Sequence, residues 1–530
     1  MALAYDAGGR KATESLTIAG QTYTTGTAYD TAGRVSQLTY PDGAVVARTY
    51  DSRNLLSTIG LAGVNIDTRT YDAGGRLTSE TLGNGQVVTR AYLTGDNLPA
   101  FIANAAVGNY TYGWDVNKNK TGETITGAMS GYSSAMNFDD QNRLTSWNRS
   151  SGDSQAWTLS PVNDWQSFTK NGTTEARTHG PTHEVLTVGA ASIQHDSRGN
   201  MTVDEFGITR TYDVDGKVSQ AVVPAVSTKG VPGTHTYQYD ALGRRVRKTT
   251  GGSSPSDTIF AHTGEQILAD YPAGGAATSP ETKYAWGSYI DELVCQFNNT
   301  TKLYPHRNQQ YSTTALTDQT GAVTERYAYT SYGEIISLDP ITLAVRTSAP
   351  LTRYTYTGRE YDTETGGYHF RERIYLSSLG RFPSHDPLMY PDGFNTYAAW
   401  FAPQMLDPSG EDCASELIEC MRKCWKSPAK YPADKKTKVG RWWHHEACDI
   451  KCKAEYMICL SLEGAEYVIV TTWGAAKYVV SGTFNTMCAA LEWVKNNPKK
   501  AIVGTVIIIG GTAYLISTGG GGAIILVPLL

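Results

Sequence analysis

Phenylalanine is scarce in this 530-residue chain, with 11 Phe beside 33 Tyr. Charge is sparse too, at 18% of residues and a net of −5. No global basic field is present to draw nucleic acid, and no nucleic-acid partner is expected. The charged start and apolar run of a secretory signal are also missing: Met1-Ala-Leu-Ala4 leads directly into Tyr5-Asp6. This is the expectation for a fragment of a longer gene product, or else for export by a dedicated machine, and the fragment is preferred. The Gly519–Gly522 run lacks a following Lys-Ser/Thr, so no phosphate-cradling loop is visible, and with no other cofactor motif no cofactor is expected. What is abundant is Tyr, Thr and Gly, with 53 Gly. Tyr and Thr favour strands and Gly favours turns, which points to a large β protein and away from helical enzymes. The length exceeds one compact core, so at least two domains are expected.

Charge and cysteine divide the chain at one place. Residues 411–530 hold 14 Lys and Arg against 11 Asp and Glu, whereas the remainder holds 32 against 40. Only Cys295 precedes residue 410; the other seven of the eight cysteines follow it. So abrupt a shift marks a domain boundary.

Before that boundary the chain repeats itself. Tyr5-Asp-Ala-Gly-Gly-Arg10 recurs as Tyr29-Asp30-Thr-Ala-Gly-Arg34, Tyr50-Asp51-Ser-Arg-Asn54 and Tyr71-Asp72-Ala-Gly-Gly-Arg76. Degenerate copies follow at Phe138-Asp139, His195-Asp196-Ser-Arg-Gly-Asn200, Tyr212-Asp213 and Tyr239-Asp240-Ala-Leu-Gly-Arg244. The Asp can accept turn N–H bonds and the Gly supplies positive φ. The run that follows, such as Arg76-Leu-Thr-Ser-Glu-Thr-Leu82, alternates as a half-buried strand does. About twenty residues fit two strands and two turns, so each repeat is roughly one hairpin. Neighbouring hairpins must pair edge to edge into a long sheet that is closed or capped. The Tyr brings an apolar body with a polar tip, suiting a sheet wet on one face.

These residues resemble the YD repeats of bacterial RHS proteins, insecticidal toxin-complex C subunits and the teneurin shell. The resemblance covers about residues 1–410. It is most specific in Leu316-Thr-Asp-Gln-Thr-Gly-Ala-Val-Thr-Glu-Arg-Tyr327, Tyr332-Gly-Glu334, Tyr356-Thr-Gly-Arg-Glu-Tyr-Asp362, Arg371-Glu-Arg-Ile-Tyr375 and Leu379-Gly-Arg-Phe382. It implies a mainly β fold, a hollow spiral β-shell of antiparallel hairpins. Residues 1–310 would supply the repeats, N-terminally incomplete, and residues 311–410 the core segment that closes the shell. The other reading is an unrelated propeller or sandwich.

Asp386-Pro387 and Asp407-Pro408-Ser409-Gly410 stand 21 residues apart around Asn395-Thr-Tyr397. The resemblance implies that such a pair cuts its own chain shortly after the second motif. Two close carboxylates cannot both ionise easily, and one that stays protonated lets the pair activate water. Asp386 and Asp407 are thus the candidate catalytic residues, with the cut just after Gly410. Three departures weaken the match: His385 stands where the family usually has Arg, Leu388-Met-Tyr390 where it has Gly-Leu, and Glu411 where cleaving members carry Leu. The alternative is a purely structural plug, since Asp-Pro and Ser-Gly make good turns anywhere.

After the boundary, Cys413, Cys420 and Cys424 have spacings that Cys448, Cys452 and Cys459 mirror. Each trio falls on one face of a helix. The expectation for residues 411–464 is a helical hairpin stapled by Cys413–Cys459, Cys420–Cys452 and Cys424–Cys448, hence an oxidising compartment. Metal binding with His444 and His445 is the rival, but the mirror order has no explanation there and no metal is expected. His444-His445-Glu446 also raises a nuclease tail, ranked last, since a His pair beside Trp442-Trp443 is more often a helix-start or surface feature.

Residues 501–530 carry no charge. Ala501–Ser517 is just long enough for a transmembrane helix within a hydrophobic tail over 465–530, with Lys495, Lys499 and Lys500 as a positive flank. The alternative is a core helix folded back onto the shell or the hairpin, and the Ile and Val content would also allow a buried strand. Three functions follow. The first is a shell that encloses or presents its own C-terminal module, a membrane-active toxin, with an immunity or secretion protein as partner. The second is a secreted or cell-surface structural protein anchored by its tail. The third is an enzyme tail.

Overall fold

A computed structural model describes residues 1–95, 97–388, 395–399, 401 and 406–407, and the backbone of five strands between 467 and 529. There are two compact units. The first spans Met1–Asp72 and Leu77–Asp412, and the second takes in Cys413–Leu530.

In the first unit, nineteen strands from Ala2–Tyr5 to Ala191–Ser192 form one sheet, and fourteen from Gln194–His195 to Ile335–Leu338 form another. Strands pair antiparallel with their sequence neighbours throughout, for example Gln21–Tyr29 with Val35–Thr39 and the latter with Val45–Tyr50. This is the hairpin-per-repeat arrangement that the sequence implies. The repeat tyrosines share one position: the register shifts at Tyr29, Tyr50, Tyr71 and Tyr239, a bulge that bends the strand into its turn. The turn is built as the motif suggests. Asp30 Oδ1 accepts from the N–H groups of Ala32 and Arg34, both at 2.9 Å, and Oδ2 accepts from Arg34 Nε at 2.7 Å. Gly33 takes φ +83°, which a side chain would oppose.

The second sheet runs along the first. Tyr23 OH donates to Gly275 O at 2.8 Å, Tyr40 OH to Tyr284 O at 2.7 Å and Arg48 to Trp286 O at 2.8 Å. Further along, Arg69 pairs with Glu292, Arg307 with Glu80, and Arg149 with the Tyr329 carbonyl. Residues rising together in both sheets make the contacts of successive turns of one ribbon. The seam is apolar where Tyr23, Tyr40 and Ile59 meet Phe260, Tyr271 and Trp286, burial that supplies most of the driving force. The first unit is therefore a mainly antiparallel β-shell.

Within residues 350–388 lie the short strands Glu360–Asp362, Gly367–Phe370 and Arg373–Tyr375, with an aromatic cluster of Tyr356, Tyr368, Phe370, Tyr375, Phe382 and Phe401. Tyr356, Tyr375 and Tyr368 donate to the carbonyls of Ser331, Tyr332 and Gly333 in turn, at 2.8–3.0 Å.

In the second unit, a five-stranded sheet has the strands Tyr467–Trp473, Ala476–Gly482, Thr505–Ile509, Thr512–Thr518 and Ile524–Leu529. The expected transmembrane helix over 501–517 is corrected here. That stretch holds two antiparallel strands, Thr505–Ile509 paired with Thr512–Thr518. Val506-Ile-Ile-Ile509 is β-branched throughout, and Gly510-Gly511 stands between the strands, where β propensity outweighs a helix of marginal length. Among the described residues no helix is long and apolar enough to cross a membrane, which leaves crossing by strands untouched. The cysteine hairpin, His444, His445 and the Gly410 cut site lie outside the described residues.

Candidate functional site

The closing segment is held by arginines that reach carboxylates across the shell. Arg245 of the second sheet pairs with Asp362 at 2.6 Å and Glu360 at 3.1 Å. Arg353 Nη2 donates to Asp270 Oδ1 at 2.9 Å, and Arg359 Nη1 to Asp291 Oδ1 at 2.9 Å. Arg381 reaches Asp164 of the first sheet at 3.1 Å. That carboxylate also accepts from Asn395 Nδ2 at 3.0 Å and contacts His183 Nδ1 at 2.9 Å. Burial makes such pairs expensive to break, since one partner left alone is an uncompensated charge.

These contacts bring Asp386 into the interior. Its N–H donates to Thr396 O at 3.0 Å. Oδ1 accepts from Leu388 N at 2.8 Å, and Oδ2 pairs with Arg373 Nη2 at 2.7 Å. Arg373 comes from the Arg373–Tyr375 strand; its guanidinium lies 3.7 Å from the Phe382 ring centre and also donates to Thr396 O at 3.2 Å. Asp407, 2% exposed, is close enough that its charge acts on Asp386. Burial pushes the Asp386 carboxyl up to about 6, and Asp407 adds to the rise; Arg373 and the Leu388 N–H oppose it. The two aspartates chosen from the sequence thus occupy one buried neighbourhood, with a buried arginine, Arg373, whose part there sequence reasoning missed.

His385 faces elsewhere. Nε2 lies 3.0 Å from Tyr397 OH, which itself donates to Gly199 O at 2.8 Å. Tyr397 has one hydroxyl proton, so His385 Nε2–H donates to it. Nδ1 then accepts from Thr396 Oγ1, 2.5 Å away. Burial holds this imidazole below its ordinary pKa. Gly199, in the degenerate repeat His195–Asn200, has φ +79°, and a Cβ there would stand 2.4 Å from His385 Nε2. His385, where the family usually has Arg, therefore serves docking and leaves Arg373 as the cation on Asp386.

The other sequence-chosen residues lie in the repeat turns. Tyr29, Tyr50 and Tyr71 donate to Lys11 O, Val35 O and Leu56 O, and Tyr239 to Val218 O. Asp6, Asp30, Asp51 and Asp240 accept the turn N–H bonds. Arg10 and Arg34 lie over the rings of Tyr29 and Tyr50, 4.4 and 4.6 Å from the centres. Tyr5, at 60% exposed, lies on the outermost strand. Cys295 is a buried free thiol, pushed up to about 12 by burial. Among the described residues no group of three or more His, Cys, Asp or Glu is placed to hold a metal ion.

No family model matches the chain. It is 29% identical over 238 residues to the tRNA3(Ser)-specific nuclease WapA of Bacillus spizizenii, a match covering 44% of this chain and 9% of that protein. It is 25% identical over 227 residues to the double-stranded DNA deaminase toxin A of Burkholderia cenocepacia, covering 39% of this chain and 16% of that protein. Among solved structures, the TcdB2–TccC3 complex superposes on 77% of this chain and 24% of its own, with a TM-score of 0.65 and 16% identity. The Photorhabdus luminescens Tc holotoxin pore does so with a TM-score of 0.64 and 16% identity, over 76% of this chain and 23% of its own. The matches thus span a small part of each relative, and the structural likeness is one of fold. Repeat, closing segment and shell fold together make the chain similar to the YD-repeat shells of RHS-type proteins.

Proposed function

We propose that this chain is the closing part of a polymorphic-toxin shell that encloses or presents the C-terminal module beginning near residue 411. On this reading Asp386 and Asp407 cut the chain after Gly410. The observation that carries it is the buried Asp386 carboxyl, oriented by Arg373 and Leu388 N–H and subject to the charge of Asp407. In the cut, one carboxylate takes a proton from water as the oxygen attacks the Gly410 carbonyl carbon. The other carboxyl gives its proton to the departing amide nitrogen as the C–N bond breaks. The products are a carboxylate and an amine, and the pair has exchanged one proton. Intact mass of the purified full chain tests this. Two species dividing after Gly410 are expected, and one full-length species in Asp386→Asn and Asp407→Asn. A wild-type chain that stays whole at every pH sinks the reading.

For the module, the charge-free run 501–530 and its β-branched strands support action on a membrane. A second reading, action on nucleic acid, rests on relatives named as a tRNA nuclease and a DNA deaminase. Dye release from liposomes against degradation or deamination of RNA and DNA separates the two, with an immunity or secretion protein as the further partner in either case. A module harmless in both assays, yet membrane-bound, favours the structural alternative, a surface protein anchored by its tail.

A further inference from the structure

A cavity of about 30 Å³ lies where the closing segment meets the second sheet. Arg245 and Trp286 of the sheet line it, with Asp291 from the turn after Thr282–Trp286 and Arg359, His369 and Arg371 from the closing segment. We propose that this cavity binds one halide ion, chloride in the first place, which ties the closing segment to the second sheet. The aspartate pair does not line it, and the proposal does not rest on self-cleavage.

Three observations carry the inference. The first is room. A buried water needs roughly 10–15 Å³ of such space, so the cavity suits one ion larger than water and excludes organic ligands. The second is charge. Asp291 serves two guanidinium groups at once: its Oδ1 lies 2.9 Å from Arg359 Nη1 and 2.7 Å from Arg371 Nη2. Glu265 stands 3.8 Å from Arg371 Nε and its side chain is 45% exposed. Glu360, also in the wall, is shared by Arg245 and Arg353. The walls therefore carry a positive surplus. Burial, and then Arg371, holds the Arg359 guanidinium below its ordinary pKa. At His369 burial is followed by Arg245, Arg359, Lys217 and Arg371, all of which hold the imidazole well below its ordinary value. The third is unmet donors. His369 is 5% exposed, and among the described residues neither ring nitrogen has a hydrogen-bond partner. Glu360 Oε1 lies 3.8 Å from Nδ1, beyond hydrogen-bond reach. Arg245 Nε–H, always a donor, also lacks an acceptor there. Buried donors without acceptors are costly. A water in the cavity supplies an acceptor, whereas an anion supplies the acceptor and the missing negative charge together. Arg371 is moreover held in place by its backbone, at φ +51°, which a non-glycine residue keeps only where its surroundings impose it.

The test is melting of the full chain, followed by circular dichroism at constant ionic strength and pH. Sodium gluconate, whose anion is too large for the cavity, is exchanged stepwise for sodium chloride or sodium bromide. An ion that binds only the folded form raises the folded-to-unfolded ratio by the factor 1 + [halide]/Kd. The wild-type melting temperature therefore rises as either halide replaces gluconate. Arg371→Gln and Arg359→Gln each leave Asp291 with a single arginine, and the rise disappears in both. Arg371→Lys keeps the charge and keeps the rise. Two charge-removing variants guard against one that does not fold, and general effects of the salts remain in both. Crystals grown in bromide show an anomalous peak between Arg371 and His369. A wild-type melting temperature indifferent to the exchange overturns the proposal, and any bromide peak is then an adventitious ion only. An equal rise in the wild type and both Gln variants, or a cavity that holds only water in bromide-grown crystals, overturns it as well.

Discussion

Asp240 shows what the repeat aspartate does once a second turn of the shell covers it. Its Oδ1 accepts from Leu242 and Arg244 N–H, and its Oδ2 from Arg244 Nε and Nη2. Arg244 and the two turn N–H groups hold the carboxyl below its ordinary pKa, against the cost of burial. This stabilisation is present above the unfolded carboxylate pKa and is lost as pH falls through the lower folded value. Asp240→Ala leaves two turn donors and a buried guanidinium without their acceptor, and the expected cost is about 1–3 kcal/mol in urea unfolding. Asp240→Asn recovers part of it, since an amide oxygen still accepts. Equal losses in the two variants would show the charge to be the whole effect. Gly199 offers a backbone counterpart. Gly199→Ala meets both an opposed φ and the His385 and Tyr397 side chains, at an expected cost of about 1–3 kcal/mol from the backbone alone.

Among the elements, the closing segment depends on ion pairs more than on its short strands. Arg245 is 1% exposed and neutralises both Asp362 and Glu360. Arg245→Met takes from Asp362 and Glu360 their shared cation and leaves each with one other, Lys248 and Arg353, with an expected loss of up to about 3–5 kcal/mol. Chemical denaturation of Arg245→Met, of Asp362→Asn/Glu360→Gln and of their combination against the wild type measures the coupling. What could be read beforehand follows the same division between local and distant. The Asp-x-x-Gly turn was legible because its donors and acceptors lie within four residues. The tyrosine hydroxyl was read only as a polar tip, because its acceptor lies 11 or more residues back, as with Tyr212 and Met201 or Tyr50 and Val35. Asp386 and Asp407 were found through their Asp-Pro motifs. Arg373 and Asp164 were missed because each earns its place through a partner in another element. Over 501–517, length spoke for a helix and side-chain branching for strands, and branching prevailed.

Across the whole molecule, buried histidines set the response to acid. Burial holds His179 and His262 down to about 4 and His306 to about 3, and lowers His195, His369 and His385 as well. The unfolded chain therefore takes up more protons, and this contribution to stability is full above about pH 6.5 and is lost as pH falls toward 4. Asp67, raised to about 7, Asp386, raised to about 6, and Glu205 oppose it, since their folded forms bind protons more readily. Six histidines against three carboxyls give a net loss. A melting temperature that falls between pH 6.5 and 4.5 is expected, with a shallower fall in His306→Gln, since the His306 Nδ1 finds no partner among the described residues. A melting temperature that rises over that interval would show the carboxyls to dominate.

The pairing of each strand with its sequence neighbour also fixes a timetable. Hairpins that need only adjacent chain close within microseconds, far faster than residues are added during synthesis. The first sheet can therefore stand before the second is made, and contacts such as Tyr40 with Tyr284, 244 residues apart, close onto a finished surface. Arg373, Asp386 and Asp407 come last in the shell, so the repeats before them are already wrapped when the residues that would cut the chain first meet.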